Sequence, residues 1–429
     1  MTKIPMSDQI AQGIMEHFQK EQGGKLLQSV LQDGLRKMVT EMVEAEVTEF
    51  LGGRGHYERR GPESKVEGYR NGYRDRKFQT GSGVVNIPVP RVRNTPEPFN
   101  STVLDKLGTR TDQLEKLVTE MYARGLSTRD IEAALRDESG NLMLSRSSVS
   151  RLAEVLWTEY EEFSERDLSD YDIEYLWLDA VYESMRRHLS RKEGIFAAWG
   201  VCRDGSKVLL ALDVGIRESN ASWTEFIHGL IRRGLREPLL VITDGNPGLL
   251  NAVSSCFPNS YRQRCIFHKM QNVLSKIPEE ARITVKEYLN SIYHAHSPEA
   301  GEQRAAEFIE DYRSQYPRAV KCFSEDLDAC LTHLKFPEKH RKLIRTGNLI
   351  ERAFGEQKRR TKVIPRFFDE KSCLKLAYGS LIRAAERFRR VKMTLLDIQR
   401  LETMRRERGL APEPTLDYKL GREVRKSAA

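Results

Sequence analysis

The strongest constraint on the fold is a stretch of about a hundred residues in which short β-type runs alternate with helical ones. Residues 173–181, 194–202 and 207–214 read as three successive strands joined by tight turns such as Arg203-Asp204-Gly205-Ser206. Residues 222–233 then read as a helix, 238–243 as a fourth strand, 247–256 as a helix and 261–267 as a fifth strand. Three strands in meander order followed by alternating helix and strand describe a mixed α/β sheet.

Two acids stand in that stretch where acids are costly. Asp179 interrupts the apolar run Tyr175-Leu176-Trp177-Leu178-Asp179-Ala180-Val181-Tyr182, and Asp244 closes Leu239-Leu240-Val241-Ile242-Thr243 ahead of Gly245. A carboxylate beside a buried strand has to be paired or hold a cation. The end of a strand is also where α/β sheets meet their ligands. Glu351 is a third such acid, at the start of a helix rich in Lys and Arg. At 100° per residue, Gly355, Lys358, Arg359 and Lys362 share its quadrant, while Ile350, Ala353 and Phe354 form another face able to pack on the sheet. All-oxygen donors suit Mg²⁺ or Mn²⁺, and two such ions about 4 Å apart can drive in-line displacement at phosphorus.

The flanking segments point to a polyanion. The net charge is +8 and the pI about 9.0, with basic residues crowded into 54–93, 341–366 and 383–408. Residues 24–51 read as an amphipathic helix through Leu27, Val30, Leu31, Leu35, Met38, Met42 and Val43, which either docks on its own domain or pairs with a second subunit. Gly68-Tyr69-Arg70-Asn71-Gly72-Tyr73-Arg74 is turn-rich, with Arg70 and Arg74 available to phosphates, and 84–93 is extended with prolines that allow only an edge strand. Within 113–157, three helices are expected, the second capped by Ser127 and the third running from the Ser145 cap to Leu156. This is the helix-turn-helix pattern, and it turns Arg146, Ser147 and Arg151 towards DNA. Residues 276–345 lose strand character and read as helices 279–293, 298–314 and 318–334, and a strongly basic helix is expected over 375–408.

Cys265-Ile266-Phe267-His268 has metal-ligand spacing, with His294 and His296 downstream. A four-ligand zinc site would need those helix-borne histidines to fold back, so His268 is expected instead beside Asp244, facing DNA or the carboxylates. Trp223 can pack in the core or stack on a displaced base. No P-loop, GxGxxG fingerprint or Ser/His/Asp order is present, no apolar stretch approaches a membrane span, and residues 1–22 carry no leader-like apolar run. A cytoplasmic, nucleoid-associated protein with reduced thiols is expected. The residues alone thus favour phosphoryl transfer on nucleic acid.

At these residues the chain resembles bacterial insertion-sequence transposases of the Mutator-like family, within the DDE, RNase H-like superfamily. The resemblance runs through Gly68–Arg74 and Leu126-Ser127-Thr128-Arg129-Asp130-Ile131 to Leu178-Asp179-Ala180, Glu218-Ser219 and Trp223. It continues in Arg233-Gly234-Leu235, Thr243-Asp244-Gly245, Gln263-Arg264-Cys265-Ile266-Phe267-His268-Lys269-Met270-Gln271-Asn272, Asn348-Leu349-Ile350-Glu351-Arg352 and 359–364. Lys269-Met270-Gln271-Asn272 departs modestly from the pattern, since the family more usually has Arg before Asn.

The resemblance implies an RNase H-like core with an all-α insertion, behind an N-terminal helical and helix-turn-helix DNA-binding region. It implies that Asp179, Asp244 and Glu351 are the metal-binding triad for two Mg²⁺ (or Mn²⁺) ions, with Cys265 and His268 as a signature pair. It further implies a homodimer on double-stranded DNA that binds terminal inverted repeats, frees 3′-hydroxyl ends and joins them to target DNA. The expected segments are 1–112 (helix and basic β/turn region), 113–165 (helix-turn-helix), 166–275 (first part of the core) and 276–345 (helical insertion). Residues 346–410 would complete the core with the basic C-terminal helix, and 411–429 would form a flexible tail. The alternatives are a catalytically silent or domesticated DNA-binding regulator and a simple metal-dependent nuclease. The intact triad weighs against the first, and the helix-turn-helix and basic segments weigh against the second.

Overall fold

A computed structural model describes residues 6–20, 22–56, 58, 66–81, 83–136, 140, 142–184, 192–215, 218–362, 364 and 366–410. The expected tail at 411–429 lies outside the described residues. The chain divides into two compact units, Met1–Val155 and Leu156–Ala429, so the units part ten residues before the expected boundary at 165.

The first unit begins with α1 (Met6–Lys20) and α2 (Gly23–Phe50), followed by the antiparallel hairpin β1 (Tyr69–Thr80) and β2 (Gly83–Arg93). The apolar positions of α2 split into two stripes. Val39, Val43 and Val47 are buried, the first two against Phe78, Val85, Ile87 and Val89 of the hairpin, while Leu27, Leu31, Met38 and Met42 are 47–62% exposed. The turn-rich segment proves to be strand: Asn71-Gly72 is an irregularity inside β1 between Arg70 and Tyr73, with Gly72 at φ +71°. Pro88 and Pro90 pair with Asp75 and Tyr73 in a sheet that has only two strands, so every strand is an edge that tolerates proline.

After α3 (Thr102–Leu107) come α4 (Asp112–Ala123), α5 (Thr128–Ala134) and α6 (Arg146–Ala153). Leu114, Val118, Ile131, Val149 and Leu152 form their common core. Ser127 and Asp130 make a reciprocal capping box at α5, and the Ser145 side chain accepts from Ser148 N at α6. The third helix is shorter than expected. It stops at Ala153, a turn at Glu154 follows, and α7 (Val155–Glu165) begins at once.

In the second unit, β3 (Ile173–Ser184), β4 (Lys192–Cys202) and β5 (Lys207–Gly215) form the antiparallel meander. Next come α8 (Asn220–Arg232), β6 (Leu240–Thr243), α9 (Pro247–Cys256) and β7 (Tyr261–Arg264). The sheet order is β5-β4-β3-β6-β7, with β6 parallel to β3 and β7 parallel to β6. Side chains alternate across it. Leu176, Leu178 and Val241 join Trp223, Phe226, Leu249 and Val253 in the core beneath α8 and α9. Trp223 is fully buried and stacks on Phe196 with ring centroids 4.3 Å apart, so it is a core side chain.

The fifth strand is shorter than its sequence suggests, because α10 (Ile266–Leu274) starts directly after Cys265. Ile266, Lys269 and Val273 are its buried face, a helical spacing that outweighs the apolar β-type run. The buried Lys269 ammonium donates to the Glu325 carbonyl.

Next lie α11 (Arg282–Tyr293), α12 (Pro298–Tyr312), α13 (Pro317–Ser324), α14 (Leu327–Leu331) and α15 (Glu338–Ile344), most of them around a core of their own built on Val285, Leu289, Ile292, Phe308, Phe323 and Leu334. The helix expected over 318–334 is broken at Asp326, which takes φ +59°. The chain then forms α16 (Asn348–Thr361), α17 (Glu370–Ala385) and α18 (Leu395–Glu407). The long basic helix expected over 375–408 is therefore two helices. Thr394 and Asp397 make a capping box that starts α18, α17 is buried from Cys373 to Leu381, and Arg405 is spent on the buried Glu174 at 3.3 Å.

Candidate active site

The parallel pairing of β3 with β6 places the first two acids. Tyr175 pairs with Leu240, Leu176 with Val241 and Trp177 with Ile242. Carrying that register two residues on sets Asp179 beside Asp244, both on the face opposite the Trp223 core. Neighbouring strands lie about 4.8 Å apart, so the two carboxylates can bind one cation from adjacent backbones. Asp179 Oδ1 accepts from the Ala180 N–H at 2.8 Å, and Asp244 Oδ1 accepts from the Asn246 N–H at 2.9 Å.

The electrostatics of Asp179 reflects the nearness of Asp244. Burial, and then the Asp244 charge, push the Asp179 carboxyl up to about 7. A fourth acid, Glu218, faces the same place and adds to that repulsion. Its own carboxyl is raised, first by burial, and it takes hydrogen bonds from Tyr182 and from Asn246 Nδ2, the latter at 2.6 Å. Sequence reasoning passed over Glu218, Tyr182 and Asn246 as site residues. The legible signal was Asn246 before Pro247: its side chain caps α9 through the Gly248 N–H at 2.8 Å, and that cap holds its amide against Glu218.

Glu351 comes from the far side of the helical segment to Cys265 and His268. The odd-numbered residues of β3 receive it: the Tyr175 hydroxyl meets His340 Nδ1 at 2.7 Å, and Trp177 Nε1 donates to the Thr346 carbonyl at 3.1 Å. Further along, Thr361 Oγ1 donates to Glu183 at 2.8 Å. These bonds dock α16 with Leu349, Ile350, Ala353 and Phe354 inward and Lys358, Arg359 and Lys362 exposed. Glu351 Oε1 lies 3.9 Å from His268 Nδ1 and 3.9 Å from Cys265 Sγ. The His268 ring also acts on Asp179, lowering its pKa, so one imidazole faces both halves of the acid cluster.

His294 and His296, the other histidines considered with the Cys265/His268 pair, are exposed at the end of α11. Glu351 stands with that pair in their place: the ligand atoms of Cys265, His268 and Glu351 all lie within 4.8 Å of one another.

Gly245 keeps the second acid in place. Its φ is +90°, and a Cβ there would come within 1.7 Å of Arg264 Nη1, a guanidinium already held by Asp326 Oδ2 at 3.1 Å and by the Gly245 carbonyl at 3.2 Å. Gly245→Ala is expected to cost about 1–3 kcal/mol in urea unfolding, from backbone strain and displacement of Arg264. An unchanged midpoint would show that the turn relaxes freely.

Among the basic residues, Arg146, Ser147 and Arg151 are exposed on α6, with Arg146 Nε 3.2 Å from Glu132 and Arg151 bonded to Ser148 Oγ at 3.3 Å. Arg74 is exposed on β1. Arg70 instead donates to the carbonyls of Arg54 and Gly55 and to Thr48 Oγ1, tying β1 to the end of α2.

Fold and site together define a mixed-sheet α/β protein with paired aspartates at its strand ends and a further acid, carried back by a helical segment, beside the histidine that faces them. The profile of the Mutator transposase family matches residues 8–391, and the chain belongs to that family. It is 33% identical over 334 residues to the transposase for insertion sequence element IS905 of Lactococcus lactis subsp. lactis (strain IL1403), covering 76% of this chain and 82% of that one. It is 35% identical to the transposase for element IS6120 of Mycolicibacterium smegmatis, covering 65% and 86%. With the transposase for IS256 in transposon Tn4001 of Staphylococcus aureus it shares 30% identity, over 85% of this chain and 90% of that one. No helix among the described residues is long and apolar enough to cross a membrane.

Proposed function

We propose that this transposase binds the terminal inverted repeats of an insertion sequence, cleaves there to free 3′-hydroxyl ends and transfers them to target DNA. The observation that carries this reading is the parallel pairing of β3 with β6, whose register, carried two residues on, sets Asp179 beside Asp244. A carboxylate raised to about 7 by burial and then by its neighbour's charge is a group that a cation would relieve. The donor set is oxygen, which fits two Mg²⁺ or Mn²⁺ ions held by Asp179, Asp244 and Glu351. When bound, the ions supply charge neutralisation at the scissile phosphate and activation of the attacking oxygen. The strand order, with an antiparallel meander and two parallel strands added beside β3, supports an RNase H-like core.

In the first unit, α4 to α6 serve as the helix-turn-helix, with Arg146, Ser147 and Arg151 on its recognition helix. Arg74, Lys358, Arg359 and Lys362 meet the phosphate backbone. Two copies act together on DNA. The exposed stripe Leu27, Leu31, Met38 and Met42 supports this, because Gly34 at its middle lets a second, antiparallel α2 approach closely.

The deciding experiment is incubation with Mg²⁺ and a labelled duplex carrying the repeats that flank the gene. Nicked and joined products are expected, and binding without any product would leave the silent-regulator reading standing. Arg146→Ala and Arg151→Ala should each weaken binding to the repeat by about tenfold and to random duplex by much less. Equal losses on both duplexes would remove α6 from base readout.

A further inference from the structure

Beyond its carboxylates, the centre holds a second kind of donor set. Cys265 sits in the junction between β7 and α10, where its own N–H donates to the Thr243 carbonyl at 2.8 Å and the next N–H, of Ile266, donates to the Arg345 carbonyl at 3.0 Å. The junction therefore ties the strand end that bears Asp244 to the turn that precedes Glu351. The thiol is fully buried there, and His268 follows one helical turn later on the same side.

We propose that Cys265, His268 and Glu351 form a binding site for a single Zn²⁺ ion, with zinc and magnesium competing for Glu351. In a tetrahedral zinc site, metal–sulfur and metal–nitrogen or –oxygen bonds of about 2.3 and 2.0 Å put the ligand atoms roughly 3.3–3.7 Å apart. Here Glu351 Oε1 is 3.9 Å from each partner, and no pair exceeds 4.8 Å. Contraction by about half an ångström to one ångström closes the site, within reach of side-chain rotation. Three protein ligands leave the fourth position open to water or a phosphate oxygen.

Two further observations point to a ligand. His268 Nδ1 is buried and has no hydrogen-bond partner among the described residues, although it is aimed at the Glu351 carboxylate. Cys265 Sγ accepts the Gly347 N–H at 3.2 Å and is faced by the backbone N–H groups of Phe267 and His268, while burial, the largest influence, holds the thiol above its usual range. A bound metal cation deprotonates a thiol that coordinates it. A thiolate and an imidazole select zinc, whereas the aspartates select magnesium. Glu351 is the one side chain that both sets can use, so zinc here withdraws it from the carboxylate centre.

The competition rests on the proposed catalytic role of Glu351, but the zinc site does not. The full chain, freed of metal, is titrated with Zn²⁺ alone and then with Co²⁺ as a spectroscopic probe, in the absence of DNA. One equivalent is expected, with a thiolate-to-cobalt charge-transfer band. Cys265→Ser and His268→Ala should each weaken binding at least tenfold, and Asp179→Asn and Asp244→Asn should leave it unchanged. His268→Gln, at a partly exposed position, keeps the test sound where loss of the Cys265 thiol disturbs folding. Zinc affinity unaffected by His268→Gln, or lost with Asp179→Asn, would overturn the site. Mg²⁺-driven cleavage should fall with added zinc and recover as Mg²⁺ is raised, and cleavage indifferent to zinc would overturn the competition. If Asp179→Asn cleaves normally while zinc still maps to the three residues, the catalytic reading fails and the zinc site stands.

Discussion

Asp179→Asn, Asp244→Asn and Glu351→Gln are each expected to lower strand cleavage in Mg²⁺ by about a thousandfold or more, with binding to the terminal repeat held within about threefold. Each substitution keeps the side chain's size and removes one charge, so the sheet and α16 stay as they are. The bound cations lose a ligand and the scissile phosphate loses its charge neutralisation. Without metal, the variants should hold DNA as well as the parent or somewhat better, because an acid facing a phosphate repels it. Gel-based cleavage and electrophoretic mobility assays on one duplex separate the two effects. Full cleavage by any one variant would take that residue out of the triad.

The second large effect is on stability. Asp179 titrates at about 7 in the folded chain, against about 4 when unfolded. Between those values the folded state holds a proton that the unfolded state has released, so stability falls as pH rises through that window. Below about pH 4 the aspartate imposes no penalty, and above about pH 7 it imposes all of it, on the order of 4 kcal/mol at most. Asp179→Asn lacks that penalty. In the absence of divalent cations it should melt several degrees above the parent at pH 8, and the gap should close towards pH 4. Adding Mg²⁺ at pH 8 should stabilise the parent more than the variant. A parent that melts with or above Asp179→Asn at pH 8 without metal would mean the aspartates are not crowded together.

Much of the centre was legible in the sequence because strand periodicity and terminal acids are local signals. Asp179 inside an apolar run and Asp244 before Gly245 needed only the reading of two strands, and the parallel register then set them side by side. Ser127 and Ser145 announced their helices for the same reason. What escaped was set by contacts distant in sequence. Cys265 ends a strand-like run, yet α10 begins there because Ile266, Lys269 and Val273 find partners only in the helical segment. The run of arginines after 383 looked like one cationic helix until Arg405 found Glu174, 231 positions away. Glu218 was invisible as chemistry because Tyr182 and Asn246, which hold it, come from other elements.

The helical segment also has a consequence for how the centre comes into being. Asp179 and Asp244 meet through one strand pairing, but Glu351 has to be brought back across the chain between Asp244 and itself. Closing a floppy loop of roughly a hundred residues costs about 4 kcal/mol in chain entropy by the logarithmic rule. Here the segment has its own apolar core, from Val285 to Leu334, and it is pinned at its base by Arg262 and Arg264 on Asp326. It therefore works as a folded strut that spans the gap at fixed length. A change deep in that strut, far from any phosphate, would move Glu351 while leaving both aspartates where they are. Loosening the strut would thus disarm the enzyme without unfolding the sheet.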